Sequence, residues 1–163
     1  MAMDPVLSDQ RKQAMRAAGF WSDQTLLEVF SKTAKDDPGR VAVVGYEAAP
    51  NRRTVLTYGE LQQTADRIAA NLLRLGVSPG EVVSYQLPNW WQFVALHLAL
   101  LRIGAVTNPV MPIFRDREME FMLTLAETRV LIVPQRFRDF DHAAMADRLK
   151  AKVPTLEHIV VIG

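Results

Sequence analysis

Residues 81–133 read EVVSYQLPNWWQFVALHLALLRIGAVTNPVMPIFRDREMEFMLTLAETRVLIV. Three short runs rich in β-branched residues alternate in this stretch with two longer segments of helical periodicity. Such alternation is typical of βαβ units, in which helices that pack on the sheet connect parallel strands. The sequence therefore predicts an α/β fold with a mostly parallel sheet flanked by helices.

Prolines and turn residues mark the ends of the predicted strands. A basic-aromatic segment, Gln135–Arg138, follows the third strand and is predicted to be a loop. The four strands of this region are predicted at residues 82–87, 105–110, 129–133 and 158–162.

The clearest helix start lies at Thr57. Thr57 and Glu60 have the spacing of a capping box, in which each side chain bonds the backbone N–H of the other residue. Behind them, apolar residues recur at steps of three and four from Leu61 to Leu73, which predicts one buried helix face. Gly76 should end this helix, because glycine adopts the left-handed conformation readily.

Three further helices are predicted downstream. Asn89 is expected to cap a helix that is apolar almost all round and should therefore lie buried between layers. Acidic residues in the first turn predict a helix that begins at Asp116. Another helix should begin at either Asp139 or Asp141.

The chain before Thr57 gives weaker signals. Residues 1–20 are predicted to form an N-terminal arm or a short helix. Ser22 or Asp23 is expected to cap a helix that ends at the turn residues 36–39. A strand at residues 41–46, a loop at 48–53 and an extended piece at 54–56 complete this part.

Composition excludes several classes of protein. The chain has 163 residues, of which 49% are hydrophobic and 23% charged, as expected for a globular domain with a sizeable core. A net charge of +1 argues against a nucleic-acid surface, which is usually strongly basic. The absence of cysteine excludes disulfides, thiolate metal sites and cysteine nucleophiles. With no secretory signal and no apolar run long enough for a membrane helix, we expect a soluble, cytoplasmic protein.

Common catalytic motifs are missing from the sequence. Its glycines form neither a GxGxxG nor a GxxxxGK[ST] phosphate loop, and no GxSxG nucleophile elbow is present. None of the histidines has the spacing of a metal motif. We expect His97 to be a packing residue of its helix, and His142 and His158 to lie at the surface.

Two segments remain as binding candidates, because each follows the carboxyl end of a predicted parallel strand, where open α/β sheets bind ligands. One is the loop from Met111 to Arg115. The other contains Arg136 and Arg138, which flank Phe137 and either grip a phosphate or belong to a solvated loop. The pair Trp90-Trp91 is either a binding platform or, as we favour, an anchor for its helix against the sheet.

Several short motifs occur together in a specific order. They are LTY at 56–58 with EL at 60–61, GV at 76–77 with PG at 79–80, LPN at 87–89, and RIGAV at 102–106 leading to NP at 108–109. In this order and spacing the chain from about Trp21 to Gly163 resembles the N-terminal region of the adenylate-forming acyl-CoA synthetases. The segment FRDFD at 137–141 is similar to the branch of medium-chain fatty acid and cyclohexanecarboxylate CoA ligases.

The resemblance implies a fold, a reaction and a set of ligands. Residues 21–163 would form the N-terminal α/β subdomain of the large domain of such an enzyme. The enzyme would convert a fatty or alicyclic carboxylic acid to an acyl-adenylate with ATP and Mg²⁺, and would then transfer the acyl group to CoA. The phosphate loop, the ribose-binding aspartate and the adenylation lysine of the family are missing here, so we expect this chain to be inactive by itself and to depend on the remainder of its own polypeptide.

The resemblance also implies candidate site residues. Met111, Pro112 and Ile113 correspond to the loop that borders the pantetheine arm of CoA in related enzymes. Arg136 or Arg138 corresponds to a basic residue near the nucleotide end of CoA. Some relatives have glycine at the positions of Pro112 and Ile113. Because of this difference, the resemblance does not imply a backbone contact with the pantetheine arm at these two positions.

Two alternatives to a synthetase are a stand-alone, non-catalytic interaction domain and a flavodoxin-like nucleotide-binding domain. Because a truncated α/β domain exposes surface that its missing part would cover, we also expect a contiguous apolar patch and self-association.

Overall fold

The computed structural model of this chain describes residues 7–47 and 51–163. These residues form six α-helices and eight β-strands, which include two very short ones. In chain order they are α1 (Asp9–Ala17), α2 (Leu26–Asp36), β1 (Val41–Glu47), β2 (Arg52–Thr57), α3 (Tyr58–Arg74), β3 (Val82–Tyr85), α4 (Trp91–Arg102), β4 (Val106–Pro109), α5 (Asp116–Leu125), β5 (Val130–Pro134), β6 (Arg136–Phe137), β7 (Phe140–Asp141), α6 (His142–Lys150) and β8 (His158–Ile162).

Four of the strands form one parallel sheet in the order β4-β3-β5-β8. In its register Val82 lies beside Val106, Val83 beside Val130, and Val130 beside His158. This sheet confirms the α/β prediction. The pairs β1-β2 and β6-β7 are separate antiparallel hairpins.

The central strands β3 and β5 are buried on both faces, because helices pack on each side of the sheet. Strand β5 shows this directly, since its side chains alternate between the two cores. The core on the side of α3 and α4 includes Leu61, Val83, Tyr85, Leu100, Val130 and Ile132. The core on the side of α5 and α6 includes Met119, Leu123, Leu131, Val133, Met145 and Leu149.

The predicted capping box is present at the start of α3. The backbone N–H of Thr57 donates to Glu60 Oε2 at 2.8 Å, and the N–H of Glu60 donates to Thr57 Oγ1 at 3.3 Å. The helix ends before Gly76, which has a φ of 91°. Its buried stripe is narrower than predicted, because Leu73 lies at the margin of the stripe and is exposed.

The predicted caps of two other helices were wrong. Helix α2 is capped by Thr25 in a second capping box with Glu28, and not by Ser22 or Asp23. Helix α4 has Trp90 at its N-cap position without a side-chain bond, so Asn89 is not the cap. The reason is the tight turn in which the N–H of Trp90 donates to the carbonyl of Pro88, since this turn moves the helix start one residue beyond Asn89.

Near the N-terminus, the described residues include the short helix α1 with Ser8 as its cap. Residues 1–6 of the predicted arm lie outside the described residues, and the predicted domain boundary at residue 21 stays a prediction. Residues 48–50 of the predicted loop also lie outside them. Arg52 and Arg53 were wrongly placed in that loop, because they belong to β2, where Arg52 pairs with Glu47.

Large apolar side chains are exposed on several elements. They are found before and on α2, on β1 and on the outer face of α5, and include Phe20, Leu26, Val29, Tyr46, Phe121 and Leu125. Self-association through such side chains stays a prediction. No helix in the described part of the chain is long and apolar enough to cross a membrane.

Helix α4 is expected to contribute strongly to the stability of the fold, because five of its twelve residues are buried. Leu100 is completely buried in it, so Leu100→Ala should lower the free energy of unfolding by about 2–5 kcal/mol through lost burial and a residual cavity. Leu73→Ala is the matched control, because that side chain is 52% exposed and its loss should cost less than about 1 kcal/mol. Urea unfolding followed by circular dichroism measures both, and equal losses would contradict this packing.

Candidate functional site

The carboxyl edge of the parallel sheet brings three segments together. Gln86 follows β3, the segment 111–115 follows β4, and the hairpin β6-β7 with the start of α6 follows β5. Carboxyl ends of parallel strands meet at one edge of a sheet, where ligands of open α/β folds bind. The segments predicted as binding candidates therefore lie at the same edge.

Gln86 joins these segments through its side chain, which is fully buried. Its Nε2 donates to the backbone carbonyls of Met111 at 2.9 Å and Phe114 at 3.0 Å. Its Oε1 lies 2.9 Å from Nδ1 of His142, the first residue of α6. One amide thus bonds both the loop after β4 and the helix after the hairpin.

These contacts determine the protonation of His142. Because Nε2 of Gln86 has two carbonyl partners, its Oε1 must be the atom that faces His142, and Nδ1 of His142 is the donor. Burial lowers the pKa of His142, and the charge of Arg115 lowers it further against the opposing effect of Asp141. The ring is therefore neutral at pH 7, with Nε2 unprotonated. That buried Nε2 has no hydrogen-bond partner among the described residues.

The prediction that His142 lies at the surface was wrong, because its side chain has no exposed area. The cause is the helix start, where the backbone N–H of Ala144 donates to Oδ1 of Asp141 at 2.9 Å. This cap confirms Asp141 as the start of α6 and makes His142 its first residue, which faces the sheet. Capping geometry, and not polarity, thus decides the burial of this histidine.

Arg115 ties the same segment to the hairpin. Its Nη1 donates to the carbonyls of Pro112 at 2.8 Å and Phe114 at 2.9 Å. Its guanidinium carbon lies 4.0 Å from the centre of the Phe140 ring, in a cation–π contact. Phe140 in turn contacts the His142 ring edge to face, with the centres 5.0 Å apart. The segment 111–115 is consequently held by two side chains that both reach its carbonyls.

Gln86 and Arg115 were missed as structural determinants in the sequence. A signal for Gln86 exists, because Ser84 and Gln86 alternate with Val83 and Tyr85 in a strand that is buried on both faces. Polar residues with a period of two in such a strand indicate a hydrogen-bonded network on one side of the sheet.

The five predicted site residues lie at this edge in two groups. In the segment 111–115, Met111 is 54% and Ile113 63% exposed, and Pro112 is half-buried. Arg136 and Arg138 are exposed on the hairpin.

The prediction of an irregular loop at residues 135–138 was wrong, since a tight hairpin begins there. Phe137 pairs with Phe140, and the two residues between them, Arg138 and Asp139, have φ values of 48° and 60°. Positive φ at both central residues is the conformation that matches the twist of a two-residue hairpin. The turn holds Arg138 over the ring of Phe137, with 5.4 Å from its guanidinium carbon to the ring centre.

The two tryptophans, Trp90 and Trp91, contact different parts of the structure. Trp91 packs against the core on the side of α3 and α4, as expected of an anchor. Trp90 instead contacts Phe137 of the hairpin edge to face, at 6.1 Å between ring centres. Trp90 therefore supports the hairpin that carries Arg136 and Arg138.

The other two histidines lie outside this cluster. His97 is half-buried on α4, where its Nδ1 lies 2.7 Å from the hydroxyl of Tyr85 and its ring stacks on Phe93, as expected of a packing residue. Burial raises the pKa of Tyr85 to about 12, so this phenol stays protonated. His158 is half-buried at the start of β8, with Nε2 3.9 Å from a carboxylate oxygen of Glu157.

A family model and two curated proteins match most of this chain. A family model described as AMP-binding enzyme matches residues 30–163. Salicyl-AMP ligase / salicyl-S-ArCP synthetase of Mycobacterium tuberculosis is 40% identical over 153 residues, which are 94% of this chain and 27% of that protein. Medium-chain fatty-acid–CoA ligase of Escherichia coli is 30% identical over 160 residues, 98% of this chain and 27% of that protein.

A solved structure also matches most of this chain. The apo structure of Mycobacterium smegmatis MbtA superposes with a TM-score of 0.82 at 34% identity, covering 96% of this chain and 28% of that one. The chain thus spans 27% of the length of the two relatives above.

The buried His142 should make stability depend on pH. Because its pKa is lower in the folded than in the unfolded chain, the unfolded state takes up the proton first as pH falls below the ordinary value of 6.5. The free energy of unfolding should therefore be highest above pH 6.5 and decrease below it until the folded-state pKa is reached. His142→Gln should weaken this decrease, as measured by urea unfolding from pH 7.5 to 5.

The control for this experiment is His158→Gln, which removes a histidine outside the cluster and retains His142. The decrease attributed to His142 should remain in this variant. An unchanged decrease in His142→Gln would show that His142 is not the titrating group.

Proposed function

This chain belongs to the AMP-binding enzyme family, and on that premise we propose that it is the N-terminal part of an adenylate-forming ligase that activates a carboxylic acid with ATP and passes the acyl group to a thiol. The observation that carries the proposal is the 40% identity to a salicyl-AMP ligase over 94% of the chain. The ordered motifs from Leu56 to Pro109 lie within the residues that the family model matches.

The proposed reaction has two steps. A carboxylate oxygen attacks the α-phosphorus of ATP, the bond to the β-phosphate oxygen breaks, and pyrophosphate leaves. The thiol sulfur then attacks the acyl carbon, the bond to the AMP oxygen breaks, and the thiol proton passes to solvent. Activation is effective because AMP is a far better leaving group than oxide.

Magnesium would accompany ATP in such a reaction. Within residues 7–47 and 51–163, no group of three or more histidine or carboxylate side chains is placed to hold a metal ion. No step of the reaction is assigned to a metal bound by these residues.

The described residues would bind the thiol acceptor in the second step of the reaction. The exposed side chains of Met111 and Ile113 offer apolar contacts to an acceptor arm at the carboxyl edge. Arg136 and Arg138 offer cations for its phosphates, since guanidinium groups bind phosphate oxygens through charge-assisted bonds. Pro112 has no N–H, and its carbonyl accepts from Arg115, so this position would contact the acceptor through its ring.

The class of acid is proposed from the relatives. Besides the salicyl-AMP ligase, they include 2,3-dihydroxybenzoate-AMP ligase of Bacillus subtilis, 30% identical over 95% of this chain, and the fatty-acid ligase of E. coli. The higher identity to the salicyl-AMP ligase makes hydroxyaryl acids the first substrates to test, ahead of the fatty or alicyclic acids that the sequence suggested.

We also propose that the rest of a longer polypeptide covers part of the sheet. An open apolar groove of about 370 Å³ runs between α3, α4 and the inner face of β8. This chain matches only 27% of each of the two relatives, so the remaining residues of such a polypeptide would be available to cover the sheet. The groove is lined by Ile68, Leu72, Leu75, Trp91, Val160 and Ile162, among others.

Exchange of labelled pyrophosphate into ATP tests the proposed activation. The polypeptide as its gene encodes it should catalyse exchange that depends on salicylate, 2,3-dihydroxybenzoate or a medium-chain fatty acid, because only an acyl-adenylate is reversibly formed without a thiol. Salicyl alcohol, which lacks the carboxylate, is the control. Nucleotide binding without exchange for any acid would contradict the proposal and favour a nucleotide-binding domain.

The acceptor role of the hairpin is tested with Arg138→Ala. Loss of one charge-assisted bond should raise the KM for CoA by roughly tenfold, the equivalent of about 1.4 kcal/mol, and leave pyrophosphate exchange unchanged. Arg67→Ala is the matched control, since Arg67 is exposed on α3, where its Nη2 donates to Oγ1 of Thr64 at 3.0 Å. Pantetheine, which lacks the nucleotide phosphates, should show no such difference, and an equal KM effect with pantetheine would contradict a phosphate contact.

A further inference from the structure

The conformation of segment 111–115 depends on polar contacts more than on packing. The core on the side of α5 and α6 reaches Val110 and Phe114, but Met111 and Ile113 between them are more than half exposed. The turn has one internal backbone bond, from the N–H of Phe114 to the carbonyl of Met111 at 3.2 Å. Gln86 donates to that same carbonyl and to the carbonyl of Phe114, so it bridges both ends of the turn.

The bridge has one possible orientation. Gln86 is fully buried, and its backbone N–H is bonded to the carbonyl of Ile132 at 2.9 Å, which fixes the direction in which the side chain leaves the strand. A flipped amide would place its oxygen against two carbonyls and its NH₂ against the N–H of His142. The two carbonyls therefore fix the amide in the orientation that holds the turn, and the Nδ1–H of His142 donates to its oxygen.

From this arrangement we propose that Gln86, held in one orientation by these bonds, is a positioning residue that sets the conformation of segment 111–115 and thereby the recognition of the thiol acceptor. The inference rests on the proposed function, in which this segment borders the acceptor. Gln86 itself contacts no substrate in this proposal, because it is buried beneath the segment.

The effect should be confined to the second step of the reaction. If Gln86 acts through the segment 111–115, its loss moves Met111 and Ile113 and weakens acceptor binding. It should leave the attack of the carboxylate on ATP unchanged. A general structural role would instead lower both steps together, through a smaller folded fraction.

The test compares two variants in the polypeptide as its gene encodes it. Gln86→Glu replaces the donating NH₂ with an oxygen of nearly the same shape, and Gln86→Met removes the polar group. Both should raise the KM for CoA by about tenfold, as expected for the loss of buried hydrogen bonds, and leave acid-dependent pyrophosphate exchange within about threefold.

Thr128→Val is the matched control. It removes another buried polar contact of the same sheet, the 2.7 Å bond between the hydroxyls of Ser84 and Thr128, without touching the segment. This variant should lose stability but keep the KM for CoA.

The outcomes separate the inference from the proposed function. Exchange by the original protein with an unchanged KM in both Gln86 variants, or an equal loss of both steps, would overturn the positioning role and leave the proposed function intact. No exchange by the original protein with any acid would overturn the proposed function, and the acceptor role of the segment with it.

A second measurement uses the original protein and therefore does not depend on the folding of a variant. ¹⁵N NMR of the histidine rings should show His142 as the neutral Nδ1–H tautomer at pH 7, because Nδ1 donates to Gln86. Observation of the Nε2–H tautomer would overturn the bond from His142 to Gln86 and with it the assigned orientation of the amide.

Discussion

A parallel strand in this sheet is covered on both faces, and the positions of the other elements follow from that requirement. Val130 and Ile132 of β5 enter one core, and Leu131 and Val133 enter the other. Such a strand can be joined to its neighbours only by crossover helices, because parallel neighbours cannot share a hairpin. Each connection therefore leaves the sheet at the carboxyl edge, and the segments after β3, β4 and β5 become neighbours there.

Gln86 solves a problem that this arrangement creates. A polar side chain at a dry sheet edge is costly unless its hydrogen bonds are made. Here the carbonyls of Met111 and Phe114 and the N–H of His142 supply three partners for one amide. The same bonds that satisfy the amide connect segment 111–115 with α6, so the most exposed part of the edge gains support from a buried group.

The sequence predicted those features whose signals are local. The capping box of Thr57 and the alternation of strands and helices needed no knowledge of distant residues, and both were confirmed. Burial of His142 and the bonds of Gln86 depend on which side of the sheet each residue faces, and this is a tertiary property.

The hairpin shows the same limit. Its strands have two residues each, which is too short for a detectable periodicity. Its turn lacks the glycine or asparagine that usually marks positive φ. Asn89 illustrates the opposite error, since a good capping residue was overruled by the tight turn after Pro88.

The backbone conformation of Arg138 lowers the stability of the hairpin. Its φ of 48° is a conformation in which an L-residue with a side chain is less stable than glycine, by about 1 kcal/mol. Selection for stability alone would favour glycine at this position, as in many two-residue hairpins. Glycine there would remove this conformational cost together with the cation that the proposed function assigns to the acceptor.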